Sequence, residues 1–113
     1  MSEHGSRPGE WSNELVEKYG KERSEAIESY TSPEIVQEKI DEWQGKLDAH
    51  RRALAEAETR FSNAKPQHKK HWEYSMQVTK NMIAEDEAWV AGLQEKLKSF
   101  QGRVLKFERS SND

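Results

Sequence analysis

Two runs of residues with unbroken 4-3 spacing restrict this chain to long, packed helices. Val36, Ile40, Trp43, Leu47, His50, Leu54, Ala57 and Phe61 make the first run. Trp72, Met76, Thr79, Ile83, Asp86, Val90, Leu93, Leu97, Phe100, Val104 and Phe107 make the second. A mean step of about 3.5 residues keeps one stripe of a helix turned toward a neighbouring helix, whereas a half-buried strand needs a step of two. Between the runs, Asn63-Ala64-Lys65-Pro66 breaks the pattern, and Pro66 disfavours helical geometry at Lys65. Two heptad helices joined by so short a break fold back on each other as an antiparallel hairpin.

The start of the first run carries its own signal. In Thr31-Ser32-Pro33-Glu34, the Ser32 hydroxyl can accept from an orphan backbone N–H. Pro33 loses nothing at the first helical position, and Glu34 meets the positive end of the helix dipole. Upstream, Ser12 is placed to cap a shorter helix with Leu15, Val16, Tyr19, Ala26, Ile27 and Tyr30 on its apolar side. The expected architecture is all-α, a single helical domain over residues 13–109 with helices near 13–30, 33–63 and 66–108. Residues 1–12 are expected to form a flexible tail, and residues 110–113 a frayed end.

Composition decides between helix and disorder. The chain is 33% hydrophobic and 35% charged, with a mean hydropathy of -1.14. Such values suit either a disordered chain or long helices that bury only a narrow stripe. Four Trp, three Tyr and three Phe favour the helices, because disordered chains are poor in aromatics. Carboxylates outnumber cations over residues 1–63 and cations outnumber carboxylates afterwards, which helps the two halves pair.

A turn centred on Ala64 and Lys65 sets an antiparallel register in which partner numbers sum to about 129–130. Ala57 then faces Trp72, Leu47 faces Ile83 and Ile40 faces Val90. The polar seam positions pair as well: His50 with Thr79, and Trp43 with Asp86. An indole N–H donates and a carboxylate accepts, so the latter pair is a candidate register lock. The second helix outruns the first, so Leu97, Phe100, Val104 and Phe107 need cover from the N-terminal helix or a partner chain. A second stripe, Val78, Met82 and Trp89, broadens its apolar face. Closure is expected either as a three-helix bundle or as a dimeric four-helix bundle of two hairpins, and the thin core of one chain favours the dimer.

The chemistry-bearing residues point away from catalysis. The sequence contains no Gly-rich phosphate loop, no Gly-x-Ser-x-Gly, no His-Glu-x-x-His and no paired Glu-x-x-His. Its carboxylates fall on wet helix faces, so neither an enzyme nor a cofactor is expected. His68 and His71 lie three apart, but Glu73 does not share their face, and no metal site is expected. Without Cys there is neither disulfide nor thiolate site, which suits a reducing, cytoplasmic setting. No apolar run reaches the roughly 20 residues a membrane span needs, and residues 1–11 lack a signal-peptide core.

The expected function is therefore contact with another protein, as an adaptor, an assembly subunit or an occluding inhibitor. The candidate contact residues are Trp11, Trp89, Met82 and a basic tip of Lys65, His68, Lys69, Lys70 and His71. An alternative is nucleic-acid association through that tip together with Lys96, Lys98, Arg103, Lys106 and Arg109. Trp43-Gln44-Gly45 supplies a third expectation. It resembles the Trp-x-Gly tripeptide of the small secreted helical hairpins of the type VII pathway, as does the chain length. In that family the tripeptide occupies the turn between two helices, whereas here it falls mid-helix, some twenty residues before the evident turn. Tyr30 to Glu34 fits a Tyr-x-x-x-acid pattern, also far from the C-terminus where that family carries it. The resemblance implies a secreted helical hairpin.

Overall fold

The computed structural model describes residues 9–112, with side chains to Gln101. Three α-helices follow one another: α1 (Asn13–Ser29), α2 (Pro33–Asn63) and α3 (Lys69–Asn112), with a short 3-10 turn at Pro66–His68 before α3. Each start has a local cause. Ser12 and Ser32 lie in extended backbone, and their hydroxyls accept from the N–H of Leu15 and Ile35, both at 3.2 Å. A hydroxyl in that position satisfies a donor that the first turn leaves over. α2 ends because Ala64 and Lys65 are both extended, with ψ of 150° and 154°. That is the geometry imposed on the residue before a proline. Lys69 then fastens the turn: its Nζ donates to the Phe61 carbonyl oxygen at 3.0 Å and lies 4.6 Å from the Phe61 ring centroid.

The core is the heptad seam. Val36, Ile40, Leu47, Ala57, Thr79, Asp86, Val90 and Leu93 are the buried residues among those described, and every one is a seam position. Val36 and Leu93 are fully enclosed, and Ile27, Tyr30, Trp43, Trp89, Leu97 and Phe100 pack around them with Ile40. Ile27 and Tyr30, from the end of α1 and the link to α2, thus pack against the same cluster as Leu97 and Phe100. The side chains of Val104 and Phe107 lie outside the described residues.

α1 closes a three-helix arrangement by running alongside α3 in the same direction. Near its start the Asn81 amide donates to the Gly9 carbonyl at 2.6 Å, midway Arg23 reaches Glu85 at 2.7 Å, and near its end Ile27 enters the notch at Gly92. A Cβ at Gly92 would stand 2.8 Å from Ile27 Cδ1, so a larger residue there would force the Ile27 side chain out of its present position. Gly9 has φ of +85°, and a Cβ there would come within 3.1 Å of the Tyr74 carbonyl oxygen and of Val78 Cγ2. Only glycine enters this conformation without strain. Gly9 and Trp11, within the stretch expected as a flexible tail, are therefore placed against α3; residues 1–8 lie outside the described part. The end of the chain differs too, since α3 runs on to Asn112 beyond the expected limit near 108.

Gly45 lies within α2, exposed, and a Cβ there would meet nothing within 4 Å. Gly45→Ala should therefore raise stability by about 0.5–1 kcal/mol, the helix cost of glycine relative to alanine. Urea unfolding followed by circular dichroism checks this; a destabilised variant would place a neighbour against Gly45.

Candidate interaction surfaces

At mid-seam the polar positions come together differently from the expected register. Asp86, 3% exposed, is held by His50 Nδ1 at 2.5 Å rather than by Trp43. A carboxylate only accepts, so the ring nitrogen is the donor. Trp43 instead stacks on Trp89, with ring centroids 4.5 Å apart and planes within 5°. Thr79 does not face His50; its hydroxyl donates to the Ser75 carbonyl in its own helix at 2.8 Å. The shift has a simple source. The extended Ala64–Lys65 and the 3-10 turn delay α3 until Lys69, and the partners of Trp43 and His50 lie three and seven residues further along α3 than the expected register placed them.

Glu85, Asp86 and Glu87 form a hub. Successive helical residues point about 100° apart, so three adjacent carboxylates reach different neighbours. Glu85 takes Arg23 of α1, Asp86 takes His50 of α2, and Glu87 takes Arg51 of α2 at 3.1 Å. The last pair is half exposed on both sides and contributes little. The consecutive acidic residues were visible in the sequence, but their division between two helices depends on the packing.

The expected contact residues separate into three groups. Trp89 is engaged by Trp43 and the core cluster, so it is not a free anchor on an uncovered stripe; Met82 is half-buried on the same helix. Trp11 is half-buried with its ring 5.0 Å from that of Tyr19. It lines an open cleft of about 200 Å³ between α1 and α3, together with Val16, Arg23, Asn81, Ala84, Glu85 and Ala88. Val16 and Tyr74, both missed as candidates, are each 52% exposed. Their exposure follows from where α1 and Gly9 cross α3, which the linear pattern does not contain.

The basic tip also divides. Lys69 is used to fasten the turn, while Lys65, His68, Lys70 and His71 are exposed. His71 meets the Trp72 ring edge-on at 4.9 Å, and the Arg60 guanidinium lies over that ring, 5.5 Å from its centroid, while paired with Glu56 at 2.9 Å. Lys96 and Lys98 stand about 40 Å further along α3 at 1.5 Å per residue. The side chains of Arg103, Lys106 and Arg109 lie outside the described residues. Among the described residues, no cluster of three metal-ligating side chains occurs. Trp43-Gln44-Gly45 sits inside α2 and not in the turn.

His50→Ala should destabilise the fold by about 2–4 kcal/mol, because it strands a buried carboxylate. Joint replacement of His50 and Asp86 by Leu should cost much less, since an apolar pair leaves no charge to satisfy. Thermal unfolding of the single and double variants measures the difference; equal losses would mean that Asp86 is satisfied by other groups.

Compared with known protein families, with curated proteins and with solved structures, the chain matches none.

Proposed function

We propose that this protein acts without catalysis, as a stiff helical module that binds another protein and serves as an adaptor, an assembly subunit or an occluding inhibitor. The observation that supports this is the apolar surface left beside α1: Val16 and Tyr74, each 52% exposed, near the half-buried Trp11 and the open cleft. A contiguous apolar patch marks a contact surface, and Val16 with Trp11, Ala84 and Ala88 along the cleft is the feature of that kind between α1 and α3. The rod form adds to it, with extents of 71 × 33 × 18 Å that give a small chain a long lateral face. Pairing of two copies belongs to the same proposal, with the α1–α3 junction as its face now that Trp89 is engaged internally. A cytoplasmic setting is also part of it, in keeping with the absence of Cys. Among the described residues no helix is long and apolar enough to cross a membrane.

Nucleic-acid association has one supporting feature, the exposed cations of the tip. It is weakened by the distance from there to Lys96 and Lys98 and by the net charge of -3. A secreted role of the Trp-x-Gly kind has no comparable support, because Gly45 is mid-helix.

The lack of native Cys makes the test direct. Single cysteines at Val16, at Tyr74 and at the exposed, polar position Glu58 carry a photo-crosslinker in the native cell extract. A discrete protein adduct from the first two positions and none from Glu58 is the expected result. Smears of equal strength from all three, or no adduct, would sink the proposal; an adduct of twice the chain mass identifies the partner as a second copy.

A further inference from the structure

The tip of the hairpin differs from the rest of the surface in how its cations are treated. Along the helices, cations are commonly answered by carboxylates: Lys46 by Glu42, Arg51 by Glu87, Arg60 by Glu56 and Lys98 by Glu95. At the tip, the fourteen residues from Thr59 to Trp72 contain no carboxylate at all. Lys65 and Lys70 are exposed and make no ion pair among the described residues, and His68 and His71 lie between and beside them, also exposed. The turn beneath is rigidly built: the His68 N–H donates to the Lys65 carbonyl at 2.8 Å, Lys69 ties Phe61, and Pro66 restricts the backbone. Glu58 and Glu73 border this stretch, and between them the charge of Lys65 and Lys70 on a fixed turn attracts an anionic partner.

Resting on the interaction-protein proposal above, we infer that this tip docks a short acidic segment of the partner protein. Size and charge select that occupant over a nucleic acid. A hairpin end is about two helix diameters across, on the order of 20 Å, which matches about six residues of extended chain. Lys65 and Lys70 neutralise only about two phosphates, far fewer than the roughly 6–10 contacts of a protein whose nucleic-acid binding is strongly salt-dependent. A longer phosphate backbone continuing along α2 would pass Glu58, Glu56, Asp48, Glu42, Asp41 and Glu38, as well as cations already paired with Glu42 and Glu56. A compact acidic peptide ends before it meets them.

The test is fluorescence anisotropy with two labelled probes, hexaglutamate and a single-stranded DNA of about twenty nucleotides, at low salt where weak charge contacts are visible. The proteins are the full chain, a tip variant carrying Lys65→Glu and Lys70→Glu, and a control carrying Lys18→Glu and Lys21→Glu on α1. Circular dichroism establishes that each is helical. The expected result is hexaglutamate binding by the full chain that falls roughly tenfold or more in the tip variant and less than about twofold in the control. Equal binding by the tip variant, no binding by the full chain, or DNA bound more tightly than hexaglutamate would overturn the inference. Failure here leaves adducts at Val16 and Tyr74 intact, while failure of the parent proposal removes those adducts whatever hexaglutamate does.

Discussion

The contact between Asp86 and His50 is the constraint around which the hairpin is organised. A carboxylate buried in an apolar seam is costly unless it is hydrogen-bonded, and His50 is the side chain that meets it. A slide of α2 along α3 by one turn would leave Leu47 and Val90 able to find other apolar neighbours, but it would strand Asp86. The seam therefore has one register in which its polar positions are satisfied. Apolar burial supplies the drive to pair, and the acid–imidazole contact supplies the uniqueness.

The Trp43–Trp89 stack joins the seam of α2 to the second stripe of α3 and extends the constraint toward the open end. Two large rings in parallel contact fill the space between α2 and α3 beside Ile40 and Leu93, where smaller residues would leave a gap. Lys46 lies 4.0 Å from the Trp43 ring centroid, closing the wet side of the stack. At the other end Lys69 and Pro66 hold the turn. Register is thus set at three points, and α1 is added laterally through Arg23, Ile27 and the Gly9 crossing without burying any residue of its own completely.

That lateral addition decides which apolar groups stay in water. α1 is anchored by a few well-placed contacts, so it covers part of the second apolar stripe of α3 and leaves its margins, Val16 and Tyr74, in water. The basic tip and the α1–α3 junction are separate surfaces on a rod, which suits a protein that engages a partner along its side and at its end.

Much of the fold was legible in the sequence because helix periodicity and capping are local properties. The 4-3 spacing named every buried residue among those described, and Ser12, Ser32 and Pro33 marked the two helix starts, since a heptad needs no knowledge of its partner to define a face. The partners themselves were not legible. A turn centre displaced by the 3-10 segment reassigned Asp86 from Trp43 to His50 and Trp43 to Trp89, because register depends on how many residues the turn consumes without advancing along either helix. The place of α1 was equally hidden: its weak stripe is compatible with several neighbours, and only the fit of Ile27 at Gly92, with the glycine conformation at Gly9, selects one face of α3. Sequence alone therefore determined that the chain forms heptad helices with a buried stripe, because that follows from side-chain spacing. Tertiary structure decided which stripe residues meet and which apolar groups stay in water, because both follow from the three-dimensional course of the turns.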